Sequence, residues 1–143
     1  MNDQIRIVID TNIWISYLIG QTLSHLTERI LTERIKILFS EELLAELVEV
    51  LHRRKFKKYF TSENIQELIG LIDAKNFESI EITSQVKACR DEKDNFLLDL
   101  CVSGNADYLV TGDADLLVLN PFQHTEIIDY RSFEKVLEKL KIE

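Results

Sequence analysis

Acidic side chains stand at four places in this 143-residue chain where chemistry is often built. Asp10 follows the apolar run Ile5 to Ile9, Asp113 follows the run from Tyr108, Asp94 opens an apolar helical stretch, and Glu46 lies on another helix. If the four converge, their repulsion must be offset, because buried carboxylates either protonate or bind a cation. There is no His or Cys cluster, since His25, His52 and His124 are scattered. The donor set would therefore be all oxygen, which suits Mg2+ or Mn2+ better than zinc. Such an ion positions a phosphate and lowers the pKa of a bound water. Together with the lack of a phosphate-cradling glycine loop, that points to hydrolysis of a phosphodiester.

The elements that must position these acids can be read from periodicity. Ile5–Ile9 is expected to be a buried strand, and a helix starting near Ile13 continues through Leu26, Ile30 and Leu31 to about Arg34. Ile35–Phe39 is a second strand, and Ser40 caps a helix running to about His52, with Glu41 and Glu42 in its first turn. A helix over Ser62–Lys75 and a strand over Phe77–Thr83 follow. Asp94 is expected to cap the next helix, which Gly104-Asn105 ends. Tyr108–Thr111 and Glu126–Tyr130 are expected strands, and Ser132 caps a terminal amphipathic helix that packs on the outside. Strands alternating with helices predict an α/β fold, a three-layer α/β/α sandwich around a central parallel sheet, with residues 1–143 forming a single domain. Ligands of such sheets bind beyond the carboxyl ends of the strands, which is where Asp10 and Asp113 would sit.

Helical geometry singles out Glu46. At about 100° per residue, Leu43, Leu44, Leu47, Val48, Val50 and Leu51 form one stripe, and Glu46 falls about 40° beyond Val50 at its edge. Glu42 and Glu49 lie further toward solvent. Each acid also has a purely structural role open to it: a helix cap for Asp94, a turn or short-helix cap for Asp113, and a solvated flank for Glu46. The combination in this order carries more than any member alone.

Composition narrows the function classes. The net charge of −8 argues against a protein that grips nucleic acid by bulk electrostatics. It leaves room for one that holds phosphates through a metal. Against that background His52–Phe60, H-R-R-K-F-K-K-Y-F, holds Arg53, Arg54, Lys55, Lys57 and Lys58, five of the 17 Lys and Arg residues, interleaved with aromatics. It could hold an RNA backbone beside Glu46, with Phe56 or Tyr59 stacking on bases, or it could be a solvated helix end whose cations suit the helix dipole. Trp14 is expected to pack, or to stack a base if exposed. Cys89 and Cys101 make neither a disulfide framework nor a zinc pattern, and both are expected to be reduced. No run approaches the ~20 apolar residues of a membrane span and no signal peptide is evident, so a cytoplasmic location is expected.

Four segments together resemble the PIN-domain nuclease family: V-I-D-T-N (8–12), S-E-E-L-L-A-E-L (40–47), R-D-E-K-D-N-F-L-L-D-L-C (90–101) and A-D-Y-L-V-T-G-D-A-D-L-L (106–117). The style is that of the bacterial and archaeal VapC-like ribonucleases, toxins of toxin–antitoxin pairs. The resemblance implies a parallel sheet sandwiched by helices and Mg2+- or Mn2+-dependent cleavage of RNA. Carried over by position, the catalytic acids are Asp10, Glu46, Asp94 and Asp113, with Asp115 a further acid toward the metal and Asp91 a substitute for the third. Asn12 and Thr111 match the supporting polar positions. Asp10, Asp94 and Asp113 would ligate the metal, and Glu46 would ligate a second ion or orient the attacking water. An antitoxin protein and a homodimer are implied as partners.

Other enzymes fit less well. A haloacid-dehalogenase-type phosphotransfer domain needs a second aspartate where Asn12 stands, and a receiver domain needs an acidic pair and a late lysine. A PIN-like module that binds RNA or protein without cutting stays open, although clustered carboxylates with no use carry an electrostatic cost.

Overall fold

The computed structural model describes residues 4–20, 34–72, 77–83 and 85–142. The β-branched run of β1 (Ile5–Ile9) pairs in parallel with β2 (Ile35–Phe39) on one side and with β4 (Tyr108–Val110) on the other. Beyond them lie β3 (Phe77–Ser79) and β5 (Glu126–Ile128), giving a five-stranded parallel sheet of order β3-β2-β1-β4-β5. The helices are α1 (Thr11–Gly20), α2 (Glu41–Leu51), α3 (Ser62–Ile72), α4 (Glu92–Gly104), the short α5 (Ala114–Leu117) and α6 (Tyr130–Ile142).

Alternation along the strands sends side chains into two cores, one on each face of the sheet. Ile7, Ile9, Ile35 and Ile37 pack with Trp14 of α1, Leu47 and Leu51 of α2, Ile65 of α3, and Phe133 and Leu137 of α6. Val8, Leu38 and Leu109 pack on the opposite face with Leu97, Leu98 and Cys101 of α4 and Leu116 of α5. The result is the expected three-layer α/β/α sandwich. Cys89 and Cys101 are free, and burial pushes the Cys101 thiol up to about 12. Among the described residues no helix is long and apolar enough to cross a membrane.

Several element boundaries differ from the sequence-based expectation, each for a local reason. The first helix begins at Thr11, because Asp10 supplies its cap; Leu26, Ile30 and Leu31 of the expected continuation lie outside the described residues, as does the expected helix end at Lys75. β3 stops at Ser79 rather than Thr83: β2 ends at Phe39, whose carbonyl accepts the Ile80 N–H at 2.7 Å, and no strand lies alongside after that. The last strand ends at Ile128, because Asp129 leaves the ladder to accept the Ser132 N–H at 2.9 Å and begin α6; Asp129, not Ser132, plays the cap. α4 starts at Glu92, capped by Asp91 and not by Asp94.

The chain adds β2 and β3 on one side of β1 and then β4 and β5 on the other. The direction of winding therefore reverses between β1 and β4, opening a crevice at their carboxyl ends. Asp10 and Asp113 follow those two strands.

Candidate active site

Asp10 is placed by the sheet. Its N–H donates to Val110 O at 3.0 Å, one step past the β1–β4 ladder, and its carbonyl accepts the N–H groups of Ile13 and Trp14 as α1 begins. Its carboxylate is held at both ends. Oδ1 accepts the Asn12 N–H at 3.3 Å, and Oδ2 accepts the Thr111 hydroxyl at 2.8 Å. Thr111 is fully buried and its hydroxyl accepts the Asp113 N–H at 3.1 Å, so one side chain ties the two strand-end acids together. Asn12 supports Asp10 through its backbone, while its side chain faces the cleft.

Asp113 caps α5, its Oδ1 accepting the Asp115 N–H at 2.9 Å. This is the structural role left open for it above, and the same carboxylate also faces Asp94. Asp94 lies in the first turn of α4 and is only 7% exposed. The R-D-E-K-D segment offers two aspartates to one helix start. Asp91 takes the cap, accepting the Lys93 N–H at 2.9 Å, and Asp94 is thereby turned inward.

One carboxylate oxygen each from Asp94, Asp113 and Asp115 lies within 4.8 Å of the others, a spacing that could hold a metal ion. Asp10 and Glu46 stand outside that trio but line the same open cleft of about 470 Å³ with Asp94 and Asp113. Glu46 is half-buried at the edge of the apolar face of α2, whereas Glu42 and Glu49 are exposed. Asp91 also lines the cleft.

The electrostatics match the crowding. Burial raises the Asp94 carboxyl to about 6, helped by the charge of Asp113, a hydrogen bond shared with it, and the charges of Asp91 and Asp10. Burial also raises Asp10, partly countered by the Thr111 hydroxyl and the Asn12 N–H, with the Asp113 charge raising it again. Cys89 is raised by burial and by Asp94, Asp113, Asp115 and Asp91, which keeps its thiol protonated and unsuited to nucleophilic work. Two of these carboxyls thus hold their protons more tightly than free ones do. A divalent cation would relieve the same repulsion, and oxygen-only donors fit a hard ion.

The basic segment forms a 3-10 turn, Arg54–Phe56, just beyond α2. Arg53, Lys55 and Phe56 line the cleft, and Lys93 of α4 faces it from another side. Arg54, Lys57 and Lys58 are exposed but do not line it. Lys55 lies over the Phe56 ring and Lys58 over the Tyr59 ring, each at 5.1 Å. Tyr59 is 44% exposed. Trp14 is buried and stacks on Phe77, with ring centroids 6.3 Å apart, so it packs rather than offering a face to a base.

Thr11 stands between Asp10 and Asn12, with no sign of a functional role in the sequence. Thr11 is 3% exposed, and its hydroxyl is the one buried side-chain polar atom without a hydrogen-bond partner among the described residues. Leaving such a group unmatched costs about 1–3 kcal/mol. A threonine in D-T-N reads as a helix-start residue, and only burial reveals the unmatched hydroxyl.

No curated protein matches the chain. The family model for the PIN domain matches residues 6–115, a span that takes in Asp10, Glu46, Asp94, Asp113 and Asp115.

Proposed function

The chain belongs to the PIN-domain family, generally a nuclease module, and from that premise we propose that it is a Mg2+- or Mn2+-dependent endoribonuclease. The observation that carries this reading is the convergence of Asp94, Asp113 and Asp115 within 4.8 Å, at a crevice that Asp94 and Asp113 line together with Asp10 and Glu46. PIN-domain nucleases use divalent metals, and an ion bound here would lower the pKa of a water and neutralise charge building on the phosphate.

The chain's own residues have separate tasks. Asp94 and Asp113 would hold the ion, with Asp10 and Asp115 completing the oxygen donor set directly or through water. Thr111 and the Asn12 N–H fix the Asp10 carboxylate, as groups behind a metal ligand do elsewhere. Glu46 would orient the attacking water or ligate a second ion. Arg53 and Lys55 hold the RNA backbone in the cleft, Phe56 offers a surface for a base, and Arg54, Lys57 and Lys58 add a weaker field outside it.

In the cell this ribonuclease is the toxin of a toxin–antitoxin pair. It acts in the cytoplasm as a single domain spanning residues 1–143, forms a homodimer, and is restrained by an antitoxin protein.

Cleavage of a mixed RNA pool by the purified protein with Mn2+ or Mg2+, beside Asp10→Asn and a chelator control, tests the enzyme. Metal-dependent cutting that vanishes in the variant supports it. A folded protein that binds RNA but cuts none of the pool in either metal favours a non-catalytic PIN-like binding module. Growth arrest on expression of the wild type but not of Asp10→Asn tests the toxin role.

A further inference from the structure

We propose that Thr11 is a positioning residue for Glu46, its hydroxyl donating to a Glu46 carboxylate oxygen and holding that carboxylate over the acidic end of the cleft. The inference rests on the nuclease reading above and names a residue that reading leaves without a role.

The cleft acids differ in what holds them. Both oxygens of Asp10 accept hydrogen bonds, from Asn12 and Thr111. Asp113 accepts from the Asp115 N–H and shares a hydrogen bond with Asp94. Asp91 accepts from the Lys93 N–H. Among the described cleft acids, Glu46 and Asp94 accept no backbone or hydroxyl hydrogen bond, and of the two only Asp94 pairs with another cleft acid, Asp113. Thr11 is the complementary case, a buried hydroxyl with no acceptor, lining the same cleft.

The two residues line one cleft and sit on helices that pack against each other. Thr11 opens α1, which packs against α2. Thr11 and Leu43 together line both the cleft and a small apolar cavity of about 20 Å³ beneath it. Glu46 lies three residues beyond Leu43, one turn along the same side of α2. A cation bound among Asp10, Asp94 and Asp113 would attract the Glu46 carboxylate toward the end of the cleft where Thr11 follows Asp10. The pair would then mirror the one already formed by Thr111 and Asp10.

The apolar cavity gives the hydroxyl no better use. Its walls are chiefly Trp14, Ile37, Leu43, Leu47 and Phe77, so a water there would lack the two to four polar partners it needs. A threonine kept only for packing would be replaceable by valine, which has the same shape.

The test is Mn2+ binding to the metal-free full chain, followed by calorimetry, for wild type, Thr11→Val, Thr11→Ser, Glu46→Gln and the Thr11→Val/Glu46→Gln double variant. Thr11→Val should weaken Mn2+ binding roughly tenfold. Thr11→Ser should stay near wild type, and Thr11→Val should add nothing in the Glu46→Gln background. If Thr11→Val fails to fold, Thr11→Ser against Thr11→Ala isolates the hydroxyl, since both lose the same methyl. Wild-type affinity in Thr11→Val, or a full second loss in the double variant, overturns the positioning role alone. A wild type that binds no Mn2+ overturns the nuclease reading and this inference with it.

Discussion

The Thr111 hydroxyl donates to Asp10 Oδ2 at 2.8 Å across 101 positions of sequence, while accepting the N–H of Asp113 at 3.1 Å. One buried side chain thus sets the relation between the two strand-end acids. Thr111→Val keeps the shape and removes both bonds. Steady-state kinetics on a cleaved RNA should show kcat lower by about 10–100-fold with KM little changed. Unaltered kcat in a folded variant would show that the ladder alone holds Asp10.

Asp94 makes the metal-free fold sensitive to pH. Its carboxyl titrates near 3.8 when unperturbed and near 6 in the fold, so between those values the folded state binds more protons than the unfolded state. The stability contributed by this group is therefore full below about pH 4 and declines as pH rises through about 6. Asp10, also raised, acts in the same direction. Glu78, lowered by its hydrogen bonds to Arg6, acts in the opposite one. Comparison of wild type with Asp94→Asn isolates the contribution of this carboxyl. In thermal melts from pH 4 to 7 without metal, the variant should gain on the wild type as pH rises, and saturating Mn2+ should remove the advantage.

Arg53 and Lys55 line the cleft, whereas Arg54, Lys57 and Lys58 are exposed outside it. The Arg53→Ala/Lys55→Ala double variant should raise KM several-fold and flatten the dependence of log K on log salt by roughly 0.7 per lost phosphate contact on a single strand. Replacing Arg54, Lys57 and Lys58 together should shift KM less. Equal effects from the two sets would mean that the segment acts as a diffuse field.

Gly104, the last residue of α4, packs against the sheet. A Cβ there would stand 2.9 Å from Leu38 Cδ1 and 3.2 Å from Ile80 Cγ1. Gly104→Ala should cost about 1–3 kcal/mol in denaturant melts, because Leu38 is fully buried and Ile80 packs half-buried beside it. The next residue, Asn105, carries the left-handed C-cap at φ 52°, and Asn105→Gly should be nearly neutral.

The parallel sheet was legible in the sequence because its strands are short apolar runs separated by helical periods, and Asp10 and Asp113 stood out because each directly follows one. Glu46 was legible from helical angle alone. The third acid was harder to place. Two aspartates compete for one cap in R-D-E-K-D, and the sequence cannot say which faces solvent until the N–H of Lys93 finds Asp91. Asp115, legible as a further acid only through the family resemblance, joins Asp94 and Asp113 at the start of α5, which Asp113 caps. In the basic segment the charges were countable, but which of them face the cleft depends on a 3-10 turn with no strong sequence signal.

The crevice at the β1–β4 boundary gives the site two mechanical halves. Asp10 and Asp113 are anchored to adjacent strands, through the Asp10 N–H to Val110 O and the Thr111 N–H to Ile128 O, so their separation changes only if the ladder breaks. Glu46 and Asp94 ride on α2 and α4, which can shift or fray at much lower cost than the sheet can melt. On the nuclease reading, ion loading and substrate release would proceed by motion of the helices against a fixed wall, and amide exchange should be slowest at Val8, Ile9 and Val110 and faster in α2.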